Sequence, residues 1–215
     1  MKKLFVVLTR NSDYVVQCVE SLVQYHPDDD VIIVDSDSED LSYVQKLQHN
    51  VNSIDLIHNK HYMDGAIWHV YNNYKEYTNY AFLQDSTELK TDIDFAFSKD
   101  IFSIQYFRDS YDEGRDGIMA KMLKTHTGLN MPMIMTGILG PMMICTRDFL
   151  KEAESIGMNN VLPTSKVCQN SMERVWGYVI EHLGRDIVSN SIEGVHRGQG
   201  FSDYKHVIKK YAERA

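Results

Sequence analysis

Val31-Ile32-Ile33-Val34-Asp35-Ser36-Asp37-Ser38-Glu39-Asp40 passes in one step from unbroken apolar residues to unbroken polar ones. Four β-branched residues in a row fit a strand covered on both faces, as in a parallel sheet. The acidic turn after them falls at the strand's carboxyl end, where open α/β sheets form their ligand crevices. Two other stretches repeat the arrangement. Leu4-Phe5-Val6-Val7-Leu8 runs into Thr9-Arg10-Asn11-Ser12-Asp13, and Tyr80-Ala81-Phe82-Leu83 runs into Gln84-Asp85-Ser86. The three polar clusters are therefore expected to converge.

Between these strands the apolar spacing turns helical. Val15, Val19, Leu22 and Val23 share a face behind cap candidates Asn11, Ser12 and Asp13. Leu41, Val44 and Leu47 mark a short helix, residues 54–57 a third strand, and Asp64-Gly65 opens a helix carrying Ile67, Val70, Tyr71 and Tyr74. This alternation predicts an α/β fold with a mainly parallel central sheet flanked by helices. Residues 91–135 are poorly periodic, with Asp109, Asp112, Glu113 and Asp116 crowded around Gly114 and Gly117, and read as a long lid or binding excursion. A strand over 138–145, interrupted by Gly140-Pro141, precedes a helix from Thr146 to Gly157. A further helix begins at Ser171 and places Met172, Val175, Trp176, Val179, Ile180 and Leu183 on one face before Gly184. Ile187-Val188 reads as a short strand, 194–200 as a glycine-rich loop, and Tyr204, Val207, Ile208 and Tyr211 as a last helix.

The chain of 215 residues suits one domain, 1–215, and its 43% hydrophobic content supports a core. A net charge of −8 argues against nucleic-acid partners, which demand a basic face. Three separated cysteines, Cys18, Cys145 and Cys168, form no metal or redox motif and suit a reducing, cytoplasmic setting. The N-terminal apolar run is too short for a signal peptide, and no segment has the length of a membrane span. Trp68 and Trp176 fall on apolar faces and read as core, and the methionines as gap fillers.

The order of these features resembles the GT-A glycosyltransferases, most closely their family 2-like members. The resemblance rests on Thr9-Arg10-Asn11 after the first strand, Val34-Asp35-Ser36-Asp37-Ser38 after the second, and Phe82-Leu83-Gln84-Asp85-Ser86 in place of an Asp-x-Asp motif. It continues through Met172-Glu173-Arg174-Val175-Trp176-Gly177 on an amphipathic helix and His196 in a late loop. The Asp-x-Asp match is incomplete, because Asp85 stands between Gln84 and Ser86.

The resemblance implies transfer of a sugar from a nucleotide-diphosphate donor, UDP by family default, to a glycan or other hydroxyl acceptor. Residues 1–90 would form the nucleotide-binding half, and 91–215 the acceptor and catalytic half with a C-terminal loop and helix. Donor contacts fall to Thr9, Arg10, Asn11, Asp35, Asp64, Gly65, Gln84, Asp85, Ser86 and Arg197. Asp85 and His196 would hold Mn2+ or Mg2+, a hard oxygen and an imidazole suiting such an ion. Glu173, expected in a first helical turn, would act as general base in an inverting displacement, with Asp112 and Asp116 in reserve. Two other readings compete: a catalytically silent nucleotide- or sugar-binding module, and a sugar-1-phosphate nucleotidyltransferase. The second lacks a glycine-rich loop after the first strand. No Gly-x-Gly-x-x-Gly or Gly-x-x-x-x-Gly-Lys is present for a dehydrogenase or P-loop protein.

Overall fold

The computed structural model describes residues 2–12, 14–195 and 204–209. In chain order the first half runs β1 (Lys3–Thr9), α1 (Val15–Tyr25), β2 (Asp30–Ser36), α2 (Ser42–Leu47), β3 (Ser53–Ile57), α3 (Tyr62–Asn73), β4 (Asn79–Gln84) and β5 (Thr87–Leu89). The second half runs β6 (Ile101–Ser103), β7 (Tyr106–Ser110), α4 (Glu113–Thr127), β8 (Ile134–Ile138), β9 (Met143–Thr146), α5 (Arg147–Ser155), α6 (Lys166–His182) and β10 (Val207–Lys209).

The central sheet has six strands in the order β3-β2-β1-β4-β9-β6. The first four are parallel, and β9 pairs antiparallel with both β4 and β6. Alternation along β1 feeds two cores. Leu4, Val6 and Leu8 join residues of α3, α5 and α6 on one face. Phe5 and Val7 join α1 and α2 residues on the other. All five of these β1 side chains are buried, which is why the strand reads as a continuous apolar run. The α/β fold with a mainly parallel sheet is as expected.

Several expectations for the second half are corrected. Residues 91–135 are largely regular: they contain β6, β7 and the 15-residue α4, capped by the Asp112 side chain accepting from Arg115 N at 2.8 Å. That helix buries only Asp116, Met119 and Leu123, so it leaves almost no apolar stripe to read. The stretch 138–145 divides at Gly140, and its halves belong to different sheets: β8 pairs with β7, and β9 joins the central sheet. The Ser171 helix begins five residues earlier, with Ser165 as N-cap accepting from Cys168 N. Ile187 and Val188 lie in a turn. Val207 and Ile208 lie in β10, antiparallel to β5, because adjacent β-branched residues suit a strand as well as a helical stripe. Tyr211 lies outside the described residues.

All three cysteines are free and buried, and Trp68 and Trp176 are core residues. No helix among the described residues is long and apolar enough to cross a membrane.

Candidate functional site

Parallel pairing brings the expected strand ends together. Thr9 stands opposite Asp35, and Leu8 opposite Gln84. The β1–β4 ladder gains one more bond beyond the strand end, from Asp85 N to Leu8 O at 3.0 Å. Thr9 Oγ1 then donates to Asp85 Oδ2 at 2.8 Å, and Asp85 is only 3% exposed. The hydroxyl fixes the carboxylate's direction at the tip of β4.

Gln84 turns toward α3, its Nε2 donating to Met63 Sδ, while Ser86 is buried in the turn leading to β5. Gly140, in the β8–β9 connection, closes the far side. It has a φ of +55°, and a β-carbon there would stand 2.6 Å from Gln84 Nε2. Glycine thus allows both the left-handed backbone and the close approach. Gly140 N donates to Glu173 Oε1 at 2.8 Å. This bond brings Glu173, half-buried on α6, beside the β4 tip through one intervening residue. Glu173 lies well inside α6 rather than in its first turn, so a helix-terminal charge effect does not account for its presence.

Asp35, expected among the donor contacts, has hydrogen-bond partners within the fold. It is 1% exposed; Oδ1 accepts from Ser38 N at 2.8 Å and Oδ2 from Tyr43 OH at 2.5 Å. Burial, followed by that carboxylate, pushes the Tyr43 phenol far above its ordinary range. Asn11 stitches the neighbouring loops: its N–H donates to Ser38 Oγ, and its Oδ1 accepts from Glu39 N, both at 2.7 Å. Arg10 is exposed, and its charge acts on Asp37. Thus Thr9, Arg10, Asn11 and Asp35 do border one rim, although Asp35 supports it from beneath.

Asp64 and Gly65 part company. Asp64 is wholly buried and accepts from Trp176 Nε1 at 2.6 Å, so it belongs to the interior between α3 and α6. Gly65 makes room for Asn59, whose Oδ1 would lie 2.1 Å from a β-carbon. Asn59 is a residue the sequence reading missed. Its Nδ2 donates to Ser36 Oγ and Tyr62 O, and its Oδ1 accepts from His61 N, so it ties the β2 tip to the start of α3. An asparagine before a helix is common, and only the glycine six residues later hints at such packing.

The reserve acids are otherwise engaged. Asp112 caps α4, and buried Asp116 is ion-paired with Arg115 at 2.8 Å. Burial, the largest single influence, would raise the Asp116 carboxyl, but the hydrogen bonds and charge of Arg115 together with the Asp112 N–H and Ser171 hold the group low. Asp109 is held low in the same way, burial being outweighed by Arg174, the Ser110 N–H and the Arg115 charge together. Carboxylates so held are poor proton acceptors. His196 and Arg197 lie outside the described residues.

For a metal, Asp85 offers one hard oxygen at the strand-end rim. The group of His, Asp and Glu ligand atoms that could meet one ion among the described residues is elsewhere: His26, Asp29 and Asp94. These residues flank the amino ends of β1 and β2, at the opposite edge of the sheet from Asp85. Lys3 Nζ already pairs with Asp94 and with Asp29, the latter at 3.6 Å, placing a cation there. Burial lowers the His26 imidazole despite the acids around it.

No protein-family model matches the sequence, and no curated protein matches it. In structure the chain is similar to GalNAc-T7, a GT-A glycosyltransferase, in its crystal structure with UDP, GalNAc and Mn2+. The TM-score is 0.50 at 10% identity, over 71% of this chain and 36% of that one. This chain therefore spans little more than a third of that protein's length. At such identity the likeness is one of architecture, and what it establishes is a mixed α/β chain with a GT-A-like fold.

Proposed function

We propose that the protein is a glycosyltransferase that moves a sugar from a nucleotide-diphosphate donor, UDP-linked, to an acceptor hydroxyl with inversion. Residues 1–90 would hold the nucleotide and residues 91–215 the acceptor. The observation that carries this reading is the placing of Gln84 and Glu173 beside Gly140, with Asp85 held by Thr9 at the tip of β4, at the carboxyl ends of β1 and β4. That is the edge at which sheets of this type receive ligands.

In the proposed step Glu173 takes the acceptor's hydroxyl proton as that oxygen attacks the anomeric carbon. The bond from that carbon to the diphosphate oxygen breaks, and the diphosphate leaves with the electron pair. Gly140 N–H, bonded to Oε1, orients the base. Thr9 orients Asp85, and the exposed Arg10 supplies positive charge at the rim. A divalent ion, Mn2+ or Mg2+, when bound would neutralise charge on the departing diphosphate. Asp85 is its candidate protein ligand, with His196 as the second.

A panel of nucleotide sugars, assayed for transfer and hydrolysis with and without Mn2+, tests the proposal; silence across the panel sinks the enzymatic reading. One observation favours the alternative, a binding module without turnover: Asp85 stands without a second acid in its motif and is almost fully covered. Calorimetric binding of a nucleotide sugar that is never turned over is the result that module gives.

A further inference from the structure

Asp64 is completely buried, and none of the influences on its carboxyl is a neighbouring charge: they are burial, Trp176, Gln169 and its own backbone. Four ionisable groups on the two adjoining helices and their approaches have partners of their own. His61 pairs with Pro163 O, His69 with Asp55, Glu173 with Gly140 and Arg174 with Asp109. Trp176, Gln169 and its own backbone each favour the charged form, but burial outweighs them, and a carboxylate with no countercharge in such a place is disfavoured.

Two buried acceptors there have no partner, Asp64 Oδ2 and Gln169 Oε1, and the Gln169 amide lies against the Asp64 carboxyl. A proton on Oδ2, donated to the amide oxygen, satisfies both at once. Trp176 Nε1 meanwhile donates to the other oxygen, Oδ1. Gln169, Glu173 and Trp176 follow one another at helical spacings of four and three along α6, so they share a stripe. Asp64 grips that stripe on both sides of Glu173.

We propose that Asp64 is a neutral carboxylic acid in the native protein and a positioning residue, clamping α6 to α3 through Gln169 and Trp176 so that Glu173 meets Gly140. Burial above all pushes its pKa up to about 7, in keeping with a proton held through the mildly acid range. The consequence for turnover rests on the reading of Glu173 as the base; the clamp itself does not.

The test uses the whole chain. Infrared difference spectra between the parent protein and Asp64→Asn, taken below neutrality, should contain a protonated-carboxyl stretch that the variant lacks. Its absence overturns the proposal, because the acid would then be ionised and Gln169 turned to donate its NH2. The chain has two tryptophans, so 15N-indole spectra are read directly. Asp64→Asn, which keeps an acceptor for Trp176 and a donor for Gln169, should leave both indole resonances in place. Asp64→Ala should shift the Trp176 resonance and lower kcat about tenfold with KM unchanged, as a displaced catalytic group does. A Trp176 resonance that moves in Asp64→Asn, or stays still in Asp64→Ala, also overturns the clamp. If parent and variants all lack transferase activity while the spectra behave as stated, the functional reading fails and the clamp stands.

Discussion

Glu173 Oε1 accepts a hydrogen bond from Gly140 N at 2.8 Å, joining a carboxylate in the middle of α6 to a backbone amide between β8 and β9. An N–H donor to a carboxylate is a charge-assisted bond that fixes the direction of the acid.

Glu173→Gln follows from this geometry. The amide oxygen can still accept from Gly140, so thermal unfolding should shift little, while the ability to take a proton is lost. Transfer should fall by roughly 10²- to 10⁴-fold with donor affinity unchanged. Rate assays and titration calorimetry on the same preparation check this, and an undiminished rate assigns the base to another residue.

Asp85→Asn should weaken the Mn2+-dependent part of nucleotide binding while leaving any metal-free part intact. Asp94→Asn is the control. The His26, Asp29 and Asp94 group lies at the other edge of the sheet and already has the Lys3 ammonium among its acids. It should therefore leave Mn2+-dependent affinity unchanged. Calorimetry of UDP with and without Mn2+ on both variants separates the two places; loss of affinity in Asp94→Asn alone reverses the assignment.

The parts of the fold that were legible are those whose side chains face apolar neighbours on both sides. β1, β2 and β4 could be found because both sheet faces are covered, and their polar ends located the rim. α4 was hidden because it buries two apolar side chains beside a salt-bridged acid and contains two glycines. The early turns of α6 were hidden because Lys166, Gln169 and Asn170 interrupt its apolar stripe. Glu173 was found by resemblance, but its partner could not be. A backbone amide 33 residues away leaves no residue type to recognise. Asp64 looked like a helix-opening acid because nothing local announces Trp176, 112 residues later, as its donor.

Gly177→Ala should destabilise the protein although it improves helix propensity. In an exposed helix interior the change gains up to about 1 kcal/mol. Here a β-carbon would stand 2.0 Å from Thr136 O and 2.8 Å from the Gly137 α-carbon, both backbone atoms of β8. Helix α6 would have to move off that strand, a penalty of about 1–3 kcal/mol by the usual cost of overpacking. A net loss in urea unfolding is expected; a gain would mean that α6 yields there freely. Because Glu173 lies one helical turn away, the same variant should lose activity more than Gly184→Ala, where the φ of +80° costs stability but the β-carbon has open space.

The pH dependence of stability carries the signature of Asp64. Its pKa is raised from 3.8 to about 7, with burial the main cause, so the native state keeps a proton that the unfolded chain releases above about pH 4. Between those values the native state binds more protons than the unfolded one, and stability falls as pH rises, levelling above about pH 7. The full swing is on the order of 4 kcal/mol at about 1.4 kcal/mol per pKa step. His26 acts with the opposite sign. Burial lowers its pKa from 6.5, so its contribution grows as pH rises toward that value. The parent curve therefore mixes both slopes, and the difference between Asp64→Asn and parent isolates one of them. Urea unfolding of the two proteins across this range should give a stability gap in favour of the variant that widens from about pH 4 to about pH 7 and then stays constant. A gap that does not change with pH would mean that the carboxyl titrates alike in the folded and unfolded chains.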